Sequence, residues 1–222
     1  MSAPVADPAL THRPPVRLTQ AERRDVSERL LVEATLAVVA QRGVGAATFD
    51  AIGQAAGYSR GLATQRFGSK QGLIDAVIAY LHARRDEVMD AAHVADMDPL
   101  EAVLYYADSH LRLLGQDVSG RAYFMLMAGA VADASAMQAA FAASHDRVRR
   151  WLAERVRAGQ GAGRVRAGLD PDGVALMVGS LLLGVSIQWL ADPATPLDKI
   201  RRTSLALLRD SLSAPPLTEP LP

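Results

Sequence analysis

Between Thr48 and Lys70 the chain reads TFDAIGQAAGYSRGLATQRFGSK, and its side chains suit one kind of chemistry: hydrogen bonding and charge pairing with a polyanion. From Ala56 to Lys70 the only charged residues are Arg60, Arg66 and Lys70, all cationic. An arginine such as Arg60 can grip guanine O6 and N7 together, and a glutamine such as Gln65 can match adenine N6 and N7. Thr64 adds a short hydroxyl beside them, and Gly61 lets another backbone come close. Thr48, Arg66 and Lys70 are the expected phosphate contacts, which position a protein on a duplex without reading sequence. Tyr58 and Ser59, at the entry to this segment, complete the candidate nucleic-acid surface.

Two short helices and a turn must hold these groups. Thr48 is a good N-cap, its hydroxyl placed to accept from an orphan backbone N–H. Phe49, Ile52, Ala55 and Ala56 follow at helical spacing. Gly57 ends that helix, because glycine takes the left-handed conformation at little cost. Ser59 then caps a second helix, in which Ala63 and Phe67 share the inward side at i, i+4. Arg60, Gly61, Thr64 and Gln65 are left pointing outward. Helices joined by so short a turn cross steeply, which is helix-turn-helix geometry, with the second helix entering the DNA major groove. Ser69 caps a third helix, whose free N–H groups and positive dipole end lie beside Lys70.

These residues resemble the DNA-binding domain of TetR-type (tetracycline-repressor-like) transcriptional regulators. Thr48, Ile52, Ala56, Gly57, Ser59, Gly61, Phe67, Lys70 and Leu73 occupy matching places, within a resemblance that covers roughly Thr19 to Leu73. The chain departs from the family pattern at Gly53, where alanine is usual, and at Tyr58, where valine is usual. Thr64 stands for the usual tyrosine and Arg66 for the usual histidine or tyrosine, two positions that often touch phosphates in that family. The resemblance implies an all-α fold, a repressor, and release from DNA by a small ligand that shifts the helix after the recognition helix.

Composition sets outer bounds. The 222 residues are half apolar, enough for a sizeable core, and the 24 basic and 24 acidic residues cancel. Attraction to nucleic acid must therefore come from a local basic surface. No cysteine is present, so neither disulfides nor thiolate metal sites are expected. The first residues contain no apolar signal region, and a cytoplasmic location is expected.

The remaining chain divides by its punctuation. Residues 1–18 hold the prolines 4, 8, 14 and 15 and read as a disordered arm. Arg13, Arg17, Arg23 and Arg24 in or after it are either minor-groove contacts or part of a solvated tail. A helix-turn-helix domain is expected over 19–72, beginning with a helix from about Ala21 to Arg42 whose stripe is Leu30, Leu31, Ala34, Val38 and Val39. A helical effector-binding and dimerisation domain is expected over 73–212, with a tail over 213–222. Its helices should run from Ser69 to about His93, from Asp98 (capping box with Glu101) to Leu114, from Ser119 to Ala132, and from Ser135 to Arg157. Two more should start at Asp170-Pro171 and at Thr195-Pro196, the last ending near Leu212. Gly159 to Gly168 reads as a flexible connection. His82, Asp86, Asp90 and His93 lie along one helix side and read as a solvated polar face, since no second cluster completes a metal site.

Two expectations concern partners other than DNA. Val174 to Ala191 is nearly all apolar, close to the lower length for a membrane span, but it is interrupted by Ser180, Ser186 and Gln188 and has no basic flank. It reads instead as a helix buried between subunits of a homodimer, with Leu176, Gly179, Ser180, Leu183, Gly184 and Ile187 at the interface beside Leu205 and Leu208 of the last helix. No membrane is expected as a partner. A ligand pocket between the helices would draw on Tyr105, Tyr106, Tyr123, Phe124, Met127, Met177 and Trp189, with Met125 nearby and His110 one helical turn from Tyr106. Plain core packing is the competing reading for each of these side chains. The lining offers few hydrogen bonds and little charge, so the effector, not otherwise identified, is expected to be apolar or aromatic. No cofactor or metal is expected, and no H-E-x-x-H or sequence-local Ser-His-Asp pattern points to an enzyme. The sequence leaves two alternatives to a repressor: an activator, and a helical enzyme or carrier whose helix-turn-helix shape is only structural.

Overall fold

A computed structural model describes residues 19–116, 118–133 and 137–215. The arm expected over 1–18, with Arg13 and Arg17, lies outside these residues, as do the end of the tail (216–222) and the helix start expected at Ser135. Among the described residues the protein is all-α, with no strand and one isolated bridge between Val165 and Ser213.

α1 (Gln20–Arg42) opens on a closed capping box: the Glu22 N–H donates to the Thr19 hydroxyl at 3.2 Å, and the Thr19 N–H donates to the Glu22 carboxylate at 2.7 Å. Its inward stripe, Leu31, Val32, Leu36 and Val39, is buried, whereas Leu30 is exposed. α2 (Phe49–Ala55) and α3 (Arg60–Phe67) pack on that stripe through Ile52, Ala63 and Phe67. α4 (Lys70–Ala91) adds Leu73, Ile74, Val77 and Ile78 to the same core. It stops before the expected His93, which takes a left-handed φ of 52° and leads into a single 3-10 turn, Val94–Asp96.

α5 (Pro99–Leu114) starts where expected, with the Asp98 carboxylate accepting from the N–H groups of Leu100 and Glu101 at 3.0 and 3.4 Å. The capping box expected there is not the arrangement found. The Glu101 carboxylate turns outward to the Arg209 guanidinium of the last helix, so a bridge between helices replaces the local bond. α6 (Val118–Ala132) follows, then α7 (Gln138–Gly161), which runs a turn past the expected Arg157. Gly159 lies within α7, where a β-carbon would come 2.6 Å from Val165 Cγ2. The segment after it is pinned rather than free: the Gln160 amide donates to the carbonyls of Arg166, Ala167 and Leu169 at 3.1, 3.4 and 2.7 Å. α8 (Pro171–Ala191) is capped by Asp170, and α9 (Leu197–Leu212) closes the chain. Thr195 does not cap α9. The cap position falls on Pro196, and the Asp192 carboxylate steadies the preceding turn by accepting from the Ala194 N–H at 3.0 Å.

Two cores result. The first joins α1 to α4 with α6, Leu114 of α5 and Phe141 of α7, and so runs across residue 72. The second lies between α5, α7, α8 and α9. By length and composition α8 is apolar enough to cross a membrane. In the protein one of its sides, Val174, Ala175, Val178, Leu182 and Val185, is buried in the second core, while Leu176, Met177 and Ile187 face outward.

Candidate DNA interface and ligand cavity

The backbone of α3 is set by its ends and its buried side. The Ser59 hydroxyl accepts from the Leu62 N–H at 3.2 Å, and Ala63 and Phe67 anchor the helix inward. Arg60, Gly61, Thr64 and Gln65 are accordingly exposed together on the outer side. Thr48, Ser59 and Lys70 are exposed around them, although the hydroxyls of Thr48 and Ser59 already serve as caps. Ser69 caps α4 by accepting from the Gly72 N–H at 3.1 Å, which leaves Lys70 on the first turn. Arg23 and Arg24 are exposed near the start of α1.

Arg66 stands apart from the outward face. It is half-buried, and its Nε donates to the Ser27 hydroxyl at 3.1 Å, tying α3 to α1. The spacing i+3 from Ala63 brings it round to the flank, which the expectation of a phosphate contact overlooked. Tyr58 is half-buried against the first core. Gly53 explains why this turn can be so close: a β-carbon there would meet the Tyr58 carbonyl oxygen at 2.9 Å. Where the family usually carries alanine, this chain packs α2 directly on the turn backbone.

Behind this domain lies a cavity of about 570 Å³, walled by α4, α5, α6, α7 and α8. Ile78, Leu81, Phe124, Leu152, Leu182 and Leu183 supply much of its apolar surface. Tyr123 stands edge-on to Phe124 and to Phe141, each with ring centroids 5.3 Å apart, and His110 stands edge-on to Phe124 at 5.9 Å. A polar cluster sits at one end: the Ser144 hydroxyl lies 2.8 Å from His82 Nε2 and 3.2 Å from the Tyr123 hydroxyl. Ser186 donates its single hydroxyl proton to the Leu182 carbonyl at 2.7 Å. His110 Nε2, 3.2 Å from the same oxygen, must then be the donor, which fixes its tautomer.

Of the side chains expected to line a pocket, Tyr106, His110, Tyr123 and Phe124 do so. Met127 and Trp189 pack on the first core, Met177 points outward, and Tyr105 is half-buried away from the cavity. The expectation of little charge and few hydrogen bonds is also revised, because His82, Arg85, His145, Asp146 and Arg149 reach the cavity wall. His82 belongs to the side of α4 read as solvated; it is one turn from Ile78 and follows Leu81, a neighbourhood that could have flagged it. Among the described residues no group of three metal-ligating side chains occurs.

The residues expected to meet a second subunit divide between the outside and the inside of the protomer. Leu176 and Ile187 are exposed, and a β-carbon at Gly179 or Gly184 would meet nothing within 4 Å in the protomer. Leu176, Gly179, Ser180 and Leu183 also border the cavity. Leu208 is only 3% exposed and Leu205 packs on the second core, so Leu208 belongs to the protomer interior. Ser204, Leu208 and Leu212 form the inward stripe of α9 at i, i+4, i+8, which turns Leu207 outward instead.

Burial pushes His82 and His110 down to about 4, with the positive charges of Arg85 and Arg147 adding to the effect on His82. Asp86 opposes it weakly at His82, and His145, itself lowered by burial, adds to both. Burial also raises the Tyr123 hydroxyl to about 12. The two histidines are therefore neutral in the folded protein at pH values where an unfolded chain, with a pKa near 6.5, binds protons. Stability is expected to be full above about pH 6.5 and to fall as pH drops toward 4. Melting temperature measured across that range should decline, and His110→Gln should flatten the decline.

Comparison with known proteins places this architecture. The family model for bacterial regulatory proteins of the tetR family matches residues 31–77, and that for the C-terminal region of BetI-type transcriptional repressors matches residues 113–213. No curated protein matches at the level of sequence. Among solved structures, one described as a TetR-family transcriptional regulator from Rhodococcus sp. superposes with a TM-score of 0.74 at 20% identity, covering 85% of this chain and 100% of that one. SmeT, the repressor of the Stenotrophomonas maltophilia multidrug efflux pump SmeDEF, superposes with a TM-score of 0.70 at 21% identity over 88% of this chain and 97% of its own. AibR, solved with isovaleryl coenzyme A and operator DNA, gives a TM-score of 0.63 at 17% identity over 82% of this chain and 97% of its own. Matched over 31–77 and 113–213 by models of regulators, with the outward-facing α3 inside the first of these regions, the chain belongs to the TetR family of DNA-binding transcriptional regulators.

Proposed function

We propose that the protein is a homodimeric repressor, released from a near-palindromic operator by a small ligand that enters the 570 Å³ cavity. The observation that carries this reading is the double service of α4. Its first half, Leu73, Ile74 and Val77, is core to the DNA-binding domain, and its second half, Leu81, His82 and Arg85, is cavity wall. A ligand that presses on the second half biases the position of α3. It need only favour the DNA-incompetent arrangement; a preference of ~100-fold corresponds to ~2.7 kcal/mol of coupling. The reading also rests on the outward α8 side, whose small residues would let a second copy approach. Arg60 and Gln65 read bases in this account, with Thr64 at the interface and Thr48 and Lys70 on phosphates. No catalytic role is assigned to any residue, and a cytoplasmic location follows from the role.

The lining favours an aromatic or alkyl body with one or two hydrogen-bonding groups facing His82, Ser144 and Tyr123. That SmeT is described in a complex with triclosan, and AibR with isovaleryl coenzyme A, supports a small-molecule ligand without giving its identity. A thermal-shift screen of small aromatic and alkyl compounds tests the proposal. A compound present at 100 times its Kd should stabilise the protein by ~2.7 kcal/mol and release DNA. Both effects should weaken in Tyr123→Ala and Phe124→Ala; if both persist unchanged, the ligand binds elsewhere.

A further inference from the structure

Beyond Tyr106, on the side away from the first cavity, a second and smaller cavity of about 260 Å³ opens between α4 and α7. Arg85, Tyr106 and Val148 line both spaces and form the wall between them. Three guanidinium groups (Arg85, Arg147, Arg155) and two carboxylates (Asp86, Asp90) face the smaller one, a net charge of one positive unit. Asp86 is shared by two of the arginines, at 2.7 Å from Arg85 and 2.9 Å from Arg147. Arg155 has no such partner among the described residues: its Nε is buried without a hydrogen bond, and its guanidinium lies 6.0 Å from the Trp151 ring centre. A permanently charged group on a cavity wall without a counter-ion calls for an acceptor from the cavity.

We propose that this cavity is a second binding site, for a small monocarboxylate with an aromatic or short aliphatic body. The two terminal nitrogens of an arginine match a carboxylate with two parallel hydrogen bonds, and on this cavity wall that assigns the charged end to Arg155. Trp151, Met89 and Val148 supply the apolar surface for the body. The single net positive charge suits a monoanion, since a dianion would crowd Asp86 and Asp90. The volume lies below the ~300–1,000 Å³ typical of drug-sized ligands, which restricts the occupant to a small acid. Arg155, Trp151 and Met89 line this cavity and not the first, so the site does not depend on the first cavity taking a ligand.

Benzoate is the probe, and Trp151 the reporter, in the full chain carrying Trp189→Phe so that Trp151 is the remaining tryptophan. Benzoate should change the emission saturably. Its apparent Kd should rise at least tenfold in Arg155→Met and severalfold in Arg155→Lys, which keeps charge but loses the two-pronged edge. Phe124→Leu, which alters the first cavity alone, should leave it within twofold, and inorganic phosphate should bind more weakly than benzoate. The lysine variant serves if the methionine variant does not fold. An unsaturable response, equal binding by both Arg155 variants, loss of binding in Phe124→Leu, or tighter binding of phosphate would each overturn the proposal.

Discussion

Gly184→Leu is expected to leave the protomer folded and to weaken operator binding by about 10²–10⁴-fold, the range by which joining two binding modules exceeds one alone. Within the protomer a β-carbon at Gly184 meets nothing within 4 Å, and leucine is the better helix former, so folding has no reason to suffer. A second copy packed on the same face would lose its close approach. Light scattering should report a shift from dimer to monomer at micromolar concentration, in step with the loss of DNA affinity. Ile187→Asp, an exposed position on the same helix, should act in the same direction by placing a charge in the interface. A dimer of undiminished stability in both variants would move the interface off α8.

The second large effect is on stability. A β-carbon at Gly72 would stand 2.2 Å from the Phe67 carbonyl oxygen, a backbone atom that cannot swing aside. That carbonyl also accepts from the Ser69 N–H at 2.7 Å in the turn between α3 and α4. Gly72→Ala must therefore spread the turn. Alanine returns at most ~1 kcal/mol of helix propensity, whereas forced overpacking costs about 1–3 kcal/mol and occasionally more. With backbone as the obstacle the upper end applies, and a net loss of ~2 kcal/mol is expected. At ~2–4 °C per kcal/mol for a chain of this size, the melting temperature should fall by about 4–8 °C. Because the displaced turn carries α3, DNA affinity should fall as well. Gly61→Ala is the control: its β-carbon would meet only the Ser59 hydroxyl, at 3.7 Å, so stability should hold while the DNA-facing surface changes.

Local signals explain why the helix-turn-helix was legible in the sequence. Thr48, Ser59 and Ser69 each cap a helix through their own hydroxyl, and Gly57 and Gly68 take the positive φ of 74° and 68° that end α2 and α3. Each is set by neighbours within a few residues. The cavity is a product of packing between helices far apart in sequence, and local pattern could place only some of its side chains. Tyr106 and His110 share a face of α5 by spacing alone, but nothing local announces that Ser144, 62 residues from His82, closes the same polar cluster. Glu101 shows the same limit: the spacing of a capping box was present, and an arginine 108 residues away claimed the carboxylate. On α9 the apolar spacing fits either Leu207 or Leu208 inward, and only the packing against α5 decides it.

The central claim is that the outer face of α3 reads DNA for a two-fold symmetric protein. Selection of bound sequences from a random duplex pool tests it most directly, with wild-type protein and Arg60→Ala run side by side. The wild type should enrich a near-palindrome with half-sites about one helical turn apart. Arg60→Ala should lose about 1–3 kcal/mol of affinity and relax one guanine-preferring position in each half-site, leaving the others intact. An enriched site without two-fold symmetry, or one whose preferences are untouched by Arg60→Ala, would contradict the account.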